Sequence, residues 1–401
     1  MSQANEEMYY PVLDEELPGR KNLALGMYVH VPFCSTTCDF CAFYQEKPSK
    51  KRMEDYFLGL QAEILRFPPH RSISTIFIGG GTPGLLKSAE LERLCSLLRS
   101  LDLSQNVEWS VEIAPSEITP EKLSVLKQNG VNRISLGVQT FDSKYMEALG
   151  RKHPVQKTFD AYKEIRNIGF RSVNLDLIFG APGQSIEDWE KDLKQAVALQ
   201  PDHLSTYCLT FEEDTAMYLR LSNGKASIDS EREAAFYELA WEYLPAHGYN
   251  QYEVSNFARL GGACKHNLNT WAMNEWMGYG PSACSQVGGI RRKNLPDIEK
   301  WSAGMLGTKL PEFVEVEKLS ASDLARDAIL FGLRMNAGIN LLEIGQRFAL
   351  SPACFMEVVR FLDRLVEEGL AHGEAGNQYR LSSSGRILAD AVAKEIPELD
   401  G

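Results

Sequence analysis

The sequence predicts an α/β protein whose main domain is built on a parallel β-sheet. Between residue 26 and about residue 210, six strand-like apolar runs alternate with amphipathic, helix-like stretches. Glycine-rich or polar motifs follow the ends of several runs, where the sites of parallel α/β proteins collect. Strands and helices that alternate in this way form a parallel sheet with right-handed crossovers. The pattern leaves open a (β/α) barrel, complete or partial, and an open doubly wound sheet.

Six short runs rich in β-branched and aromatic residues are the predicted strands. They cover residues 27–32, 74–80, 107–113, 133–138, 172–180 and 203–209. Lengths of six to nine residues are typical of strands in a buried sheet.

The segments between the strands carry apolar residues at helical spacing. Residues 50–67 and 88–101 each present one apolar face, which predicts amphipathic helices. Thr119 and Ser185 precede two further helical patterns and are predicted N-caps. Asp188, three residues after Ser185, has the position of the acidic partner in a capping box.

Changes in composition divide the chain into four predicted segments. Residues 1–24 form an acidic N-terminal tail, and residues 25–230 form the core barrel. Residues 231–314 are an aromatic and glycine-rich region that we expect to pack on the barrel. Residues 315–401 carry helical patterns followed by a strand-like pair, which predicts a C-terminal helical, winged-helix-like accessory domain.

The charge balance excludes one broad class of function. The chain has 54 Asp and Glu against 42 Lys and Arg, a net charge of −12, whereas non-specific nucleic-acid binding depends on basic residues. No apolar run approaches the ~18 residues of a membrane span, and the acidic start does not resemble a signal peptide. We therefore expect a cytoplasmic protein with no nucleic-acid partner, which suits eight cysteines in a reducing compartment. Peripheral association with a membrane surface stays open.

Three cysteines close to the end of the first predicted strand are the strongest functional signal. Cys34, Cys38 and Cys41 have the spacing CxxxCxxC, whereas the other five cysteines are scattered singly. A tetrahedral zinc site or a simple ferredoxin cluster takes four protein ligands. Three thiolates on a 4Fe-4S cubane leave one iron open to a substrate or cofactor. A zinc site completed by His30 is the alternative.

A glycine-rich loop follows the second predicted strand. Residues 79–84 read GGGTPG and formally satisfy the dinucleotide-binding pattern GxGxxG. Pro83 removes a backbone donor that a phosphate cradle needs, and the next helical pattern begins only near Ser88. We therefore expect a loop whose bare backbone approaches a ligand closely, with a plain tight turn or a nucleotide site as the alternatives.

Polar side chains lie at the ends of the next three strands. Glu112 ends the third strand, Gln139 follows the fourth, Asp176 lies within the fifth, and Arg151 follows a short helix. Because the carboxyl ends of parallel strands meet at one mouth, we expect these side chains to converge there. A guanidinium suits a carboxylate, and the other three can bond to ammonium or hydroxyl groups. The set suits a zwitterion that carries a ribose, whereas the alternative is that each side chain caps a strand or helix.

The segment 261–285 combines aromatic residues, glycines and a histidine. His266, Asn267, Trp271, Trp276 and Tyr279 lie close together in the sequence. Such aromatics could wall a flat hydrophobic ligand, with His266 as ligand to a metal at its centre. The alternative is a histidine whose bonds are satisfied in the core. Cys264 is a second candidate soft ligand.

The chain resembles the oxygen-independent coproporphyrinogen III oxidase family of the radical S-adenosylmethionine (SAM) superfamily. The resemblance rests on seven motifs in the family's order: YVHVPFC, GGGTP, VNRISLGVQTFD, LGRKH, NLDLIFGAPGQ, YEVSNFAR and HNLNTW. It implies a partial (β/α)6, TIM-like radical SAM barrel that binds a 4Fe-4S cluster and SAM. In that superfamily the open iron chelates the amino and carboxylate groups of SAM.

Two departures from the oxidase favour a neighbouring branch. The oxidase motif continues as CxxxCxxCxC, but here the position two after Cys41 is Phe43. The oxidase also has a longer N-terminal extension, whereas only about 25 residues precede the first predicted strand here. Both departures favour the HemW branch, regarded as heme chaperones, whose HNxxYW motif is implicated in heme binding. This chain reads HNLNTW, with Thr270 in place of the tyrosine.

The resemblance assigns roles to individual residues. Cys34, Cys38 and Cys41 would hold the cluster, and no catalytic residue is implied beyond the cluster and SAM. The implied SAM pocket comprises Tyr28, Phe40, Gly80, Gly81, Thr82, Glu112, Gln139, Arg151 and Asp176. The implied heme residues are His266, Asn267 and Trp271.

The predicted function is that of a chaperone that carries heme as cargo and passes it to an acceptor protein. Neither that acceptor, nor the electron donor, nor the oligomeric state is indicated by the sequence. The alternative is a radical enzyme, either a coproporphyrinogen III decarboxylase or a SAM-dependent methylating or cyclopropanating enzyme.

Overall fold

The structure is a computed structural model that describes residues 24–151, 153–213, 215–222, 229–309 and 311–399. The predicted acidic tail, apart from its last residue, lies outside the described residues. No helix in the described ranges is long and apolar enough to cross a membrane.

Six parallel strands form the centre of the main sheet, and each pairs with its neighbour in chain order. The strands are β1 (Leu25–Val31), β2 (Ile73–Gly80), β3 (Leu103–Ile113), β4 (Arg133–Gln139), β5 (Ser172–Phe179) and β6 (His203–Cys208). A doubly wound sheet would reverse its strand order at a switch point. The order found here therefore excludes that alternative and confirms the partial barrel.

Helices connect the strands of the barrel as predicted. They are α1 (Lys50–Arg66), α2 (Ser88–Arg99), α3 (Pro120–Gln128), α4 (Ser143–Ala148), α5 (Val155–Ile168) and α6 (Ile186–Ala198). The side chains of Thr119 and Ser185 accept hydrogen bonds from backbone N–H groups in the first turns of α3 and α6, so both predicted N-caps are confirmed. Asp188 does not complete a capping box, because its carboxylate accepts hydrogen bonds from Tyr145 and Lys191.

Alternate residues of the six strands form two different faces. One face is apolar and packs against the helices, with Val29, Ile76, Val111, Leu136 and Leu175 fully buried in the larger hydrophobic core. The other face lines the barrel interior and is polar. Its buried members include Thr75, Ser110, Arg133, Ser135, Asn174, His203 and Ser205. A buried polar interior is unusual for a barrel of this size, whose inward layers are commonly branched aliphatics.

The aromatic and glycine-rich region extends the sheet at both edges. At the β6 edge it adds β7 (Asn250–Glu253) and β8 (Asn256–Ala258). At the β1 edge, β9 (Trp276–Tyr279) pairs parallel with β1, and three more strands then pair antiparallel, each with the one before it. These strands are β10 (Cys284–Val287), β11 (Ile290–Asn294) and β12 (Phe313–Lys318). The sequence did not predict this twelve-stranded sheet.

Four further helices accompany these strands. They are α7 (Ala216–Ser222), α8 (Ser230–Ala246), α9 (Lys265–Trp271) and α10 (Ile298–Leu306). Helix α9 carries the whole HNLNTW motif and contacts both β1 and β2.

The C-terminal part has a hydrophobic core of its own. Its helices are α11 (Ala321–Arg334), α12 (Leu341–Phe348), α13 (Met356–Glu367), α14 (Ser383–Ile387) and α15 (Ala389–Glu395). A small sheet pairs β15 (Gln378–Leu381) with both β13 (Ile339–Asn340) and β14 (Ala371–Glu374). Helices with a short β-wing match the winged-helix-like prediction, and β13 is a strand that the sequence did not reveal.

Candidate functional site

The three motif cysteines lie on the loop between β1 and α1. Cys34, Cys38 and Cys41 are free and partly buried. Burial is the main cause that raises the pKa of the Cys34 and Cys41 thiols, and the neighbouring cysteine thiolates raise it further. The charges of the three thiols thus act on one another, and their loop follows the carboxyl end of β1.

Contacts from other elements hold this loop at Asp39, between the second and third cysteines. The backbone N–H of Asp39 donates to the Leu149 carbonyl (3.3 Å), and the Asp39 carbonyl accepts from the N–H of Met217 (2.9 Å). The guanidinium of Arg220 forms an ion pair with the Asp39 carboxylate. Met217 and Arg220 belong to α7, which had no functional signal in the sequence. These contacts, here called the clamp on Asp39, were therefore not predicted.

The geometry disfavours the zinc alternative. Both ring nitrogens of His30 are engaged, Nδ1 with the hydroxyl of Tyr28 (3.2 Å) and Nε2 with the carbonyl of Tyr44 (3.0 Å). Within the described residues, no three His, Cys, Asp or Glu side chains lie close enough to hold one metal ion together. In this arrangement His30 does not complete a zinc site with the three cysteines.

The glycine-rich loop makes close approaches, and its neighbours belong to the protein itself. A Cβ on Gly79 would lie 2.7 Å from Oε2 of Glu112, and one on Gly81 would lie 2.8 Å from the Phe33 carbonyl. Gly80 has φ +106°, and a Cβ there would lie 2.6 Å from the ring of His30. A single 3-10 turn (Pro83–Leu85) follows the glycines, and helix α2 begins only at Ser88. No α-helix N-terminus therefore directly follows the glycines as a nucleotide site would need.

Thr82 connects this loop to the first cysteine. Its hydroxyl lies 3.4 Å from the sulfur of Cys34, and its backbone N–H donates to the Phe33 carbonyl (2.8 Å). The glycine loop therefore positions the start of the cysteine loop.

Two carboxyl groups lie on the inner face near the mouth of the barrel. Burial raises the pKa of Glu112 to about 8, with a smaller contribution from the charge of Asp176. The pKa of Asp176 is also raised by burial, although hydrogen-bond donors oppose the shift. Tyr28 is also on this inner face. Burial raises the pKa of Tyr28 well above its usual value, and the charge of Glu112 raises it further. These groups could pair with a cation or with hydroxyl donors.

Gln139 and Arg151 line the mouth next to the cysteines. Gln139 has φ +68°, and a Cβ on Gly137 would lie within 4 Å of both its amide nitrogen and the Arg151 guanidinium. The positive charge of Arg151 acts to lower the pKa of Cys34 and Cys41. The Nε of Arg151 is buried and has no hydrogen-bond partner among the described residues. An unpaired buried N–H beside the thiols suits an anionic group such as a carboxylate.

Phe40 lies on the other side of the cysteine loop. It packs on a small apolar cluster of Leu149, Ile178, Leu209 and Met217. The structure thus brings the predicted strand-end residues together with the cysteines and places Phe40 at their margin.

His266 lies far from the cysteines, at the opposite end of the barrel strands. Its Nδ1 is 2.9 Å from the hydroxyl of Thr75, and its ring stacks on Phe77 with the centroids 5.3 Å apart. Its backbone N–H donates to Oε1 of Glu108 (3.1 Å). Thr75, near the start of β2, pairs with Glu108 in the middle of β3. Burial lowers the pKa of His266 to about 4, so the imidazole is neutral at neutral pH.

The aromatic residues of the same segment do not surround His266. Trp271 packs against Phe331 of α11, with the ring centroids 5.7 Å apart. Tyr279 is in the main core and donates to the Phe67 carbonyl (2.7 Å). The aromatic residues that were expected to wall a ligand with His266 therefore face different cores in this structure.

Asn267 and Cys264 are held within the same segment. The backbone N–H of Asn267 bonds to the sulfur of Cys264, whose thiol lies 3.5 Å from Oε1 of Glu108. Burial raises the pKa of Cys264 to about 12, so this thiol stays protonated and is a poor second ligand.

A buried polar network below the mouth was not predicted from the sequence. It consists of Arg133, Ser135, Asn174, His203 and Ser205, all of which are at most 4% exposed. A signal was present, since polar residues recur at every second position in β4, β5 and β6, a spacing that puts them on one face.

Comparisons with known proteins agree with this architecture. The model of the radical SAM superfamily matches residues 28–196. The heme chaperone HemW of Bacillus subtilis (strain 168) is 32% identical over 375 residues, covering 91% of this chain and 97% of that protein. The heme chaperone HemW of Mycobacterium tuberculosis (strain CDC 1551 / Oshkosh) is 33% identical over 395 residues, covering 95% and 97%.

A solved structure resembles nearly the whole chain. It is that of the coproporphyrinogen III oxidase HemN from Escherichia coli, described as a radical SAM enzyme. The TM-score is 0.81 at 24% identity, and the match covers 94% of this chain and 91% of the oxidase. At this identity the likeness establishes the shared fold.

Proposed function

We propose that this chain, which belongs to the radical SAM superfamily and within it to the HemW family, acts as a heme chaperone that binds heme and transfers it to an acceptor protein. The single observation that carries the proposal is similarity to HemW proteins over nearly the full length of both chains. The exposed Phe43 (66%), in place of the extra cysteine of the oxidase motif, also supports it. The eight free cysteines suit a reducing cytoplasm.

Membership of the superfamily implies a 4Fe-4S cluster and SAM, and we propose the mouth of the barrel as their site. Cys34, Cys38 and Cys41 would hold the cluster. When bound, such a cluster supplies an electron that can cleave SAM. Two features favour SAM here: the unpaired, buried Nε of Arg151 suits its carboxylate, and Glu112 and Asp176 suit its ammonium and ribose hydroxyls.

The rest of the proposed SAM pocket follows from position. Tyr28, Gly80, Gly81, Thr82 and Gln139 line the mouth or support its walls, with Phe40 at the margin of the loop. In this proposal residues 25–230 carry the cluster and SAM, whereas residues 231–314 carry the heme residues. Residues 315–401 form the accessory domain that packs on them.

We propose His266 as the heme ligand, together with Asn267 and Trp271 of the same motif. A neutral imidazole is the form that binds iron, and the low pKa of His266 provides it. In the structure the ring stacks on Phe77 and bonds to Thr75. Heme ligation by His266 therefore requires α9 to move away from β2.

The test is a heme titration of the anaerobically reconstituted protein, followed in the Soret band. We expect saturable binding of one heme per chain. His266→Ala should weaken it by about tenfold or more, since a ligand bond is worth at least one charged hydrogen bond. His247→Ala is the control, because His247 is exposed on the surface. Wild-type affinity in His266→Ala would reject His266, and a flat titration of the wild type would reject the chaperone function.

A radical enzyme is the second candidate, favoured by the polar groups retained at the mouth of the barrel. It would act on coproporphyrinogen III or serve SAM-dependent methylation or cyclopropanation. Turnover-dependent release of 5'-deoxyadenosine with a supplied substrate, in a protein that does not bind heme, would establish it.

A further inference from the structure

A chain of hydrogen-bonded side chains runs through the barrel interior beneath Asp176. It links Ser135 of β4, Asn174 of β5, and His203 and Ser205 of β6, which occupy neighbouring register positions. These four residues are between 0% and 4% exposed. They lie away from the mouth, and the proposed function gives them no role.

Asp176 is held by donors from three adjacent strands. Its Oδ2 accepts from the hydroxyl of Ser135 (2.8 Å), and its Oδ1 accepts from Nδ2 of Asn174 (2.8 Å). The hydroxyl of Ser205 also bonds to this carboxylate. Each of these bonds stabilises the ionised form, so they oppose the rise in pKa that burial causes.

His203 is one of several residues that hold the Asn174 amide in its orientation. Nδ2 of Asn174 also donates to the hydroxyls of Ser135 (2.7 Å) and Ser205 (3.0 Å), and the Ser205 hydroxyl lies 3.3 Å from Oδ1. Because Nδ2 of Asn174 donates to Asp176, its Oδ1 faces away and lies 2.7 Å from Nδ1 of His203.

With the amide in this orientation, Nδ1 of His203 is the donor to Asn174, and Nε2 lies 2.8 Å from the hydroxyl of Tyr252 and accepts from it. The pKa of His203 is lowered well below its usual value, first by burial and then by the charge of Arg133. The ring thus stays neutral in one tautomer.

We propose that His203 and Asn174 are positioning residues for SAM binding, because they hold the Asp176 carboxylate in its ligand-accepting orientation. The inference rests on the proposed assignment of Asp176 to the SAM pocket. Without the N–H of His203, the Asn174 amide can rotate and place its oxygen against the Asp176 carboxylate. Two acceptors in contact repel each other in a buried site, so Asp176 would turn away or become protonated.

The test is a SAM titration of the full-length, anaerobically reconstituted protein. Binding is followed by the SAM-induced change in the electron paramagnetic resonance spectrum of the reduced cluster. In Asn174→Asp and His203→Leu we expect SAM to bind about tenfold more weakly, the effect of losing a hydrogen bond to a charged group. Iron content and the SAM-free spectrum should match the wild type, because neither residue touches the cysteine loop.

A rescue variant separates positioning from packing. His203→Asn keeps an N–H near the place of Nδ1, and we expect it to restore SAM affinity to within about threefold of wild type. If His203 only filled space, the smaller asparagine would bind SAM no better than leucine does. Asn129→Leu is the matched control, since Asn129 is 4% exposed and bonds to Glu92 and Val125 among the outer helices. It should lose stability but keep wild-type SAM affinity.

The SAM affinities of the wild type and of the variants separate a failure of the proposed SAM pocket from a failure of the positioning role of His203 and Asn174. A wild-type protein that does not bind SAM overturns the proposed pocket and the inference with it. A wild type that binds SAM, together with unchanged affinity in both Asn174→Asp and His203→Leu, overturns the inference alone. If those variants fail to take up the cluster, Ser205→Ala decides, because it removes only one hydroxyl. About threefold weaker SAM binding supports the inference, and unchanged affinity rejects it.

Discussion

At the scale of single residues, the glycine loop packs tightly against Glu112. Gly79 leaves no space for a side chain, since a Cβ would lie 2.7 Å from Oε2 of Glu112. The backbone N–H of the next residue, Gly80, donates to the same oxygen (3.3 Å). The glycine therefore determines where the Glu112 carboxylate lies.

We expect Gly79→Ala to weaken SAM binding by about tenfold, because the methyl group displaces the carboxylate from its hydrogen bond. The fold should survive, since Glu112 can rotate. The SAM titration described above measures the effect. Gly373→Ala is the control, because a Cβ at Gly373 meets its neighbours at an ordinary 3.4 Å. Equal SAM affinity in the two variants would contradict this role of Gly79.

At the scale of elements, one buried carboxyl group joins α1 to the extended edge of the sheet. Glu63 of α1 is fully buried and accepts from the N–H of Gly280 (2.8 Å) and from Nδ2 of Asn294 (2.6 Å). Burial raises its pKa from 4.5 to about 7, although these hydrogen bonds oppose the shift. A carboxyl group with a raised pKa binds its proton more tightly in the folded protein than in the unfolded chain.

This raised pKa predicts a pH-dependent contribution to stability. The contribution of protonated Glu63 is complete below pH 4.5 and is lost as the pH rises through about 7. Glu63→Gln cannot ionise at this position, whereas the wild type loses stability as Glu63 ionises. Between pH 5 and pH 8 the free energy of unfolding of the variant should therefore rise relative to that of the wild type by up to about 3 kcal/mol. Urea unfolding across this range, followed by tryptophan fluorescence, measures the difference.

The control for this prediction is Glu299→Gln, since the Glu299 side chain is 63% exposed. We expect its free energy of unfolding to differ from that of the wild type by less than about 1 kcal/mol between pH 5 and pH 8, because exposed ion pairs contribute little. An equally small difference for Glu63→Gln would show that Glu63 does not titrate in this range.

At the scale of the whole molecule, α9 lies between the barrel and the C-terminal core. One side of α9 contacts the barrel through His266, and the other packs Trp271 against Phe331. Arg347 of α12 donates to the carbonyls of Ala272 (2.7 Å) and Met273 (2.5 Å) just after α9. The motif helix is therefore fixed by both cores at once.

Removing the Arg347 side chain should loosen this connection. We expect Arg347→Ala to lower the free energy of unfolding by about 2 kcal/mol, because two buried carbonyls lose a charged donor. If the proposed release of α9 admits heme, the variant should also bind heme faster in the Soret assay. Arg360→Ala is the control, since Arg360 is 70% exposed and forms an ion pair with Glu357 on its own helix. A loss of stability no larger than in that control would contradict the connection.

The elements of the barrel and the place of its mouth could be predicted from the amino-acid sequence. Strand and helix periodicities are local, so the six strands, their helices and the caps at Thr119 and Ser185 were predicted within a few residues. The cysteines and the polar strand ends could be predicted to converge because parallel strands bring their carboxyl ends to one edge. The alternation of polar residues in β4, β5 and β6 also indicated the interior network, although no prediction was made from it.

The contacts that join distant parts of the chain could be known only from the folded structure. The order of strands beyond β1 and β6 and the clamp on Asp39 depend on such contacts. So does the direction in which α9 faces, since the bond between Thr75 and His266 spans 191 residues. Similarly, Glu63 and Asn294 are 231 residues apart. A helix with apolar or aromatic residues on two sides fits several partners equally well, and only the packing of the whole chain selects among them.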